Sequence, residues 1–394
     1  MDIKLLELHI SQAELALNKA CNNNYSDRAK EEYQQTLLEL FRQIKTNFVN
    51  TPPTSPPDIF EIKREIDFIF KSLEFLDSST LNLIPYEIVE CLRCAMVEWL
   101  QPGENYIIVT SLINDIQGFS FDPRIAFNDP LYVSINKKYG LTFDNRLVQI
   151  NIPKALSRDY LTAVVLYHEL GHFIDNKYSI SSALARDLYR KYINNIFSAL
   201  EINAINTYFP FLLQNYTHND KVTLLSYHIA EYFCDLFGAQ YINDCSNKYL
   251  DYLTENQNVF SDSHPSTINR SKVVKDFLDN TSNVIVDQIK NAVRQITGTK
   301  NLDYRFTKLT GADFFNFLPI TLKDEKELHG IFILGWDVWL DNWQTFSTNM
   351  NMNSAIQRPQ VYSIINNLIE KSISNYFINQ KWTQIQSATQ QVVP

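Results

Sequence analysis

The stretch Tyr167-His168-Glu169-Leu170-Gly171-His172-Phe173-Ile174-Asp175 decides how the rest of the chain is read. His168 and His172 stand four residues apart, so on a helix their imidazoles share one face and can converge on a single ion. Glu169 points into the same cleft and can take a proton from metal-bound water, the chemistry of the H-E-x-x-H pattern. Leu161 and Val165 continue the histidine face upstream, which roots the site in a core. The competing reading is a surface helix on which two histidines fall at this spacing by accident. A third ligand decides between them, because two imidazoles and a water leave a tetrahedral zinc one protein ligand short.

Few downstream residues can fill that place. Glu231 lies on a helical stretch, Leu224 to Ile242, with Asp235 one turn further on the same face. A carboxylate there can accept the ring N–H of a ligating histidine and fix its tautomer. Most Glu-x-x-x-Asp pairs are solvated helix faces, but Tyr232, Phe233, Leu236 and Phe237 surround this one with apolar side chains. That makes the helix a buried one, where unpaired carboxylates are costly. The third piece is Ser263-His264-Pro265-Ser266-Thr267-Ile268-Asn269-Arg270. A histidine before proline sits in extended backbone at a helix start, free to point into a cleft and donate to an oxyanion. Arg270 can orient nearby carboxylates. Asp175, on nearly the same face as His168, is a candidate for a carboxylate behind the metal ligands. His228 is weighed as an alternative ligand and read as an ordinary satisfied histidine.

In this order, His168-Glu169-Leu170-Gly171-His172, Glu231-x-x-x-Asp235 and His264-Pro265-Ser266-x-x-x-Arg270 resemble the pattern of the HtpX and CAAX-prenyl-protease family of gluzincin metallopeptidases. The resemblance covers residues 145–275, about a third of the chain. It implies a zinc endopeptidase acting on a protein or peptide substrate, with one Zn2+ per chain. His168, His172 and Glu231 would be its ligands and Glu169 its general base. Asp235 would stand behind the ligands, and His264 would stabilise the transition state. The chain departs from the family in lacking membrane-spanning helices. It also carries a long segment between His172 and Glu231, with the cluster Tyr208-Phe209-Pro210-Phe211. The expectation is a distant soluble relative.

Composition agrees with a packed, helical protein. Of 394 residues 45% are hydrophobic and 13% aromatic, and only 9 are Gly, which disfavours a turn-rich all-β fold. A net charge of −9 without any Lys/Arg-rich run excludes nucleic acid as a main partner. The five cysteines are odd in number and unevenly spread, which suits a reducing compartment. Charges within Met1–Glu7 argue against a signal peptide, and the richest apolar run, Ile331–Trp336, is closed by Asp337. A cytoplasmic protein without a membrane span is expected.

Along the chain, residues 1–50 read as a separable helical hairpin and 51–57, with four prolines, as a linker. Residues 58–299 form the zincin-like domain and 300–394 a C-terminal helical region. Helices are expected over Asp58–Leu76, Pro85–Leu100 and Thr267–Ile296, and strands at Tyr106–Val109, Leu131–Ile135 and Leu147–Ile152. The last strand alternates like a half-exposed edge, onto which an extended substrate can add. Ser157 is the expected N-cap of the histidine helix, and Gly171 the point where a strand or substrate approaches closely. Cys91-Leu92-Arg93-Cys94 reads as two buried thiols, and Trp336, Trp339 and Trp343 as core packing. The fold class expected is mainly α with a small β-sheet: an α+β zincin-like core with flanking helical regions. The rivals to proteolysis are a catalytically silent helical interaction protein with a structural zinc and a delivered effector or toxin. The terminal helical regions are candidate regulators, through a partner or ligand.

Overall fold

A computed structural model of the chain describes residues 3–25, 27–80, 86–115, 118–253, 258–348 and 356–390. It is mainly helical with one small sheet, as composition predicts. The chain divides into two compact units, residues 1–89 with 100–157, and residues 90–99 with 158–394.

The first unit opens with α1 (Ile3–Ala20), whose Leu6, Ile10, Ala13 and Leu17 recur at helical spacing and are all buried. In α2 (Arg28–Asn50) the Asp27 side chain caps the N–H of Lys30, and Tyr33, Leu37, Leu40, Phe41 and Ile44 face inward. The Pro-rich linker proves shorter than expected. Ser55 caps α3 (Pro56–Asp77), so the last two prolines stand at its first two positions. Proline is tolerated there because that turn has no intrahelical use for its N–H. Nor is the hairpin separable: Leu6, Leu37 and Ile44 share one core with Ile66, Ile69, Val109 and Leu147. The compact units therefore cut across the boundaries read from the sequence.

Helix α4 (Tyr86–Val97) follows; Pro85, expected to open it, lies outside the described residues. The sheet contains β1 (Tyr106–Ile113), β2 (Ser120–Asp122) and β3 (Arg146–Pro153) in the order β1-β3-β2. β3 runs parallel to β1 and antiparallel to β2, pairing Ile107 with Leu147 and Ser120 with Asn151. The expected edge strand is thus the centre of the sheet, and Gln149 is as buried as its apolar neighbours. Asn151 donates to Ser120 Oγ at 2.7 Å, so its polarity answers β2 and not solvent. β1 pairs β3 along its whole length and β2 covers Gln149–Asn151 on its other side, so β3 is not the free edge expected for a substrate strand. Residues 131–135 are not a strand either. They lie in α5 (Asp129–Tyr139), which carries Pro130 in its first turn and ends on left-handed Gly140. Its Leu131, Ile135 and Tyr139 recur at helical spacing, which outweighs their β propensity.

The second unit carries α6 (Val165–Tyr178), α7 (Ile180–Ile193), α8 (Ala199–Tyr208), α9 (His218–Ile242) and α10 (Cys245–Leu253). Ser157 does not cap α6. Asn366 Oδ1 takes the N–H groups of Tyr160 and Leu161, Asp159 takes that of Thr162, and the helix begins only at Val165. Helix α9 is the centre of this unit: from Glu231 to Ile242 every residue is buried. At Gly171 an added Cβ would come within 2.9 Å of Cys234 Cα, so the close approach expected there is made by α9 itself. The expected helix over 267–296 is two, α11 (Thr267–Leu278) and α12 (Val284–Thr297). They are parted by left-handed Asn280 and by Asn283, which caps the second. Then come α13 (Ala312–Phe315), α14 (Glu325–Leu340), α15 (Trp343–Thr348) and α16 (Arg358–Gln390). Trp336 is buried and donates to the Leu161 carbonyl, while Trp339 packs edge-on against Tyr362, so these tryptophans are packing residues. The five cysteines form no disulfide.

His329 on α14 is fully buried 2.8 Å from the Tyr167 hydroxyl, and burial pushes its pKa down to about 3. The unfolded chain binds a proton there near 6.5 while the folded chain refuses it, so stability falls as pH drops below 6.5. Between pH 7 and pH 5 this costs about 2 kcal/mol. Denaturant melts at both pH values should show that loss in the parent and a correspondingly smaller one in His329→Gln. Equal losses would remove His329 as the cause.

Candidate metal centre

Three helices supply the site. α6 presents His168, Glu169 and His172, α9 presents Glu231 and Asp235, and α11 presents Arg270 just beyond the His264-Pro265 turn. Asp235, fully buried, lies 3.0 Å from His168 Nδ1 and receives Arg270 through Nε at 2.8 Å and Nη2 at 2.7 Å. An ionised carboxylate can only accept, so Nδ1 carries the proton and Nε2 is the nitrogen left for other work. Nε2 faces Glu231 Oε2 at 3.4 Å, and Nε2 of His172 faces Glu231 Oε1 at 3.5 Å. His264 Nε2 lies 3.7 Å from the same Oε1, and Arg270 Nη1 is 3.3 Å from Oε2. All three motifs read from the sequence meet at Glu231.

Those separations suit a shared ion. Donors about 2.0–2.2 Å from a tetrahedral zinc stand roughly 3.3–3.5 Å from one another, which is where the histidine nitrogens and Glu231 oxygens are. The charges suit it too. Burial raises Glu231, but Arg270 and the two histidines outweigh it and hold the carboxyl well below its usual range. Burial likewise opposes ionisation of Asp235, and Arg270 overcomes it. Burial pushes His168 down, yet Asp235 and Glu231 together lift it to about 9, so a proton on its ring balances the two acids and Arg270. A bound dication would take that proton's place, since a ligating imidazole must be neutral. His172 is already neutral, pushed down to about 4 by burial.

The structure also brings Cys234, which belongs to none of the three sequence motifs, to the site. Ligand atoms of His168, His172 and Cys234 lie within 4.8 Å of one another. The available signal was its place three residues after Glu231 on one helix face. Two donor sets therefore share the histidines. As a third ligand Glu231 would be the stronger, because its carboxyl is held well below its usual range. Burial, with Glu231, Asp175 and Glu169 around it, pushes the Cys234 thiol well up and disfavours the thiolate that binds metal.

Glu169 has no hydrogen-bond partner among the described residues, and burial pushes its carboxyl up to about 7. His264 sits at the open edge with its side chain 58% exposed, its Nδ1 2.8 Å from Ser263 Oγ. His228 is no ligand: its Nε2 is 2.8 Å from the Ser261 carbonyl, which steadies the turn carrying His264. The hydrogen bonds of Asp175 go to Ser181, from its N–H at 2.7 Å and its hydroxyl at 2.6 Å, tying α6 to α7. Beside His172 a cleft of about 370 Å3 opens, lined by Asp175, Ser181, Tyr227, Glu231 and His264 among others.

Comparison with models of protein families, with curated proteins and with solved structures finds no match to this chain.

Asp235→Asn should lower zinc affinity by about 10–100-fold, because the ring of His168 loses its anionic anchor. Chelator competition measures this directly, and an affinity equal to the parent's would show that Asp235 does not act through His168.

Proposed function

We propose that this chain is a zinc-dependent endopeptidase, with Glu169 as the observation that carries the reading. It is a buried carboxylate without a hydrogen-bond partner among the described residues, next in sequence to His168, with a pKa near neutrality. A group poised there can both take and return a proton at physiological pH. His168, His172 and Glu231 would hold the metal. Zinc, when bound, supplies Lewis-acid chemistry, polarising a carbonyl and making water nucleophilic near neutral pH. Glu169 takes the proton of the attacking water and later hands it to the leaving amine. His264 Nε2, at the open edge, donates to the oxyanion. Arg270 keeps Glu231 and Asp235 ionised, and Asp235 holds the tautomer of His168.

The motif order likens the chain to the HtpX and CAAX-prenyl-protease gluzincins. No helix among the described residues is long and apolar enough to cross a membrane, which supports a relative without that family's membrane helices. Five cysteines without a disulfide suit action in the cytoplasm. The second reading is a silent interaction protein with a structural zinc, and Cys234 favours it. A fourth protein ligand would close the coordination shell, as structural sites do. A structural site has no use for a general base, and for that reason we prefer catalysis.

Metal content and cleavage of a peptide pool test the two together. The parent should hold one zinc per chain and His168→Ala should lose it. Glu169→Gln should keep zinc while hydrolysis falls by about 10²–10⁴-fold. Cys234→Ser should retain both zinc and activity. Loss of zinc in Cys234→Ser, or full activity in Glu169→Gln, would favour the structural reading.

A further inference from the structure

The cleft beside His172 contains an acid that forms no ion pair with a lysine or arginine among the described residues. Asp175 is 5% exposed, and its partners among the described residues are the N–H and hydroxyl of Ser181. Each carboxylate oxygen spends one lone pair on those bonds and keeps another. His172, one turn earlier on the same helix, turns its Nε2 to Glu231 Oε1 at 3.5 Å. No lysine or arginine lines the cleft; hydroxyls such as Ser182 and Ser226 do. Burial raises the pKa of Asp175 against its two bonds from Ser181, and a cation seated in the cleft is the partner that would favour its ionised form.

We infer that the cleft takes the cationic side chain of a lysine or arginine beside the scissile bond, with Asp175 as the residue that reads it. The inference rests on the endopeptidase reading. His172 and Glu231 line both the cleft and the metal centre, so a side chain seated there belongs to a residue next to the bond being cut. Ammonium and guanidinium groups carry three and five donors, and the serine hydroxyls offer acceptors around Asp175. An apolar side chain would strip water from those hydroxyls and return nothing. A chain of net charge −9 also draws basic substrates toward it. The opposing possibility is that Asp175 serves the metal as a remote counter-charge.

Two peptide sets, identical except for lysine against norleucine, separate these outcomes with the zinc-loaded parent. The lysine set should show kcat/KM higher by about 10–100-fold, the worth of one hydrogen bond to a charged group. Zinc-loaded Glu169→Gln should bind lysine peptides tighter by a similar factor in fluorescence anisotropy, a readout independent of turnover. Asp175→Asn should bring the ratio toward one at unaltered zinc content. Should that variant fail to fold, Ser182→Lys places a cation in the cleft and should lower the lysine ratio. Equal cleavage of both sets by the parent overturns this inference alone. Loss of zinc from Asp175→Asn with the ratio preserved also overturns it and assigns Asp175 to the metal. No cleavage of either set overturns the endopeptidase reading and this inference with it.

Discussion

Asp235 between Arg270 and His168 is the interaction on which the site depends. A carboxylate with no solvent contact survives only where a cation and donors surround it, and Arg270 supplies a bidentate pair of N–H groups. The same carboxylate turns the Nδ1 side of His168 inward and leaves Nε2 for Glu231. One contact therefore joins α6, α9 and α11 and also chooses which nitrogen faces the candidate metal position. Removing either partner would leave a buried charge uncompensated, so the site's electrostatics and the packing of these helices are coupled.

Packing at Gly171 makes that contact reachable. Without a side chain there, α6 settles against α9 at Cys234, close enough for the short Asp235 side chain to reach the imidazole one helix away. A glycine inside a helix costs about 1 kcal/mol relative to alanine, and here the cost is offset by an approach that a Cβ would block. The closeness has a second consequence. It carries the Cys234 sulfur to within 4.8 Å of a ring nitrogen of each histidine, so packing and candidate metal chemistry meet at one residue.

The cleft follows from the joint between α6 and α7. Ser179 stands in left-handed backbone where the two helices meet, and Asp175 is engaged by Ser181 from the first turn of α7. That geometry aims a carboxylate along the wall next to His172 while its near partners stay neutral. The acids of the candidate metal centre are answered by Arg270 and a proton on His168; among the described residues Asp175 is answered by hydroxyl and amide donors.

Local spacing was enough to read much of this. The His168-Glu169-His172 face and the buried character of α9 follow from i, i+4 geometry and from apolar neighbours, whereas the pairing of Arg270 with Asp235 and Glu231 joins α11 to α9 and is a product of helix packing. Helix content follows from few glycines and regular apolar recurrence. Tertiary structure decided what lies across a gap in sequence. Val148, Ile150 and Ile152 alternate with polar residues in a central strand as readily as in an edge strand, because the second face is covered by residues distant in the chain. Leu131–Ile135 carries strand-forming side chains, but Pro130 and Gly140 frame a helix whose buried face only the core defines. Ser157 had the chemistry of a cap, yet Asn366 took the backbone groups that would have begun the helix there. Cys234 and Asp175 could be named from sequence as residues near the motif. Their roles depend on which residue stands opposite, Gly171 for one and Ser181 for the other, and that is settled by packing between helices.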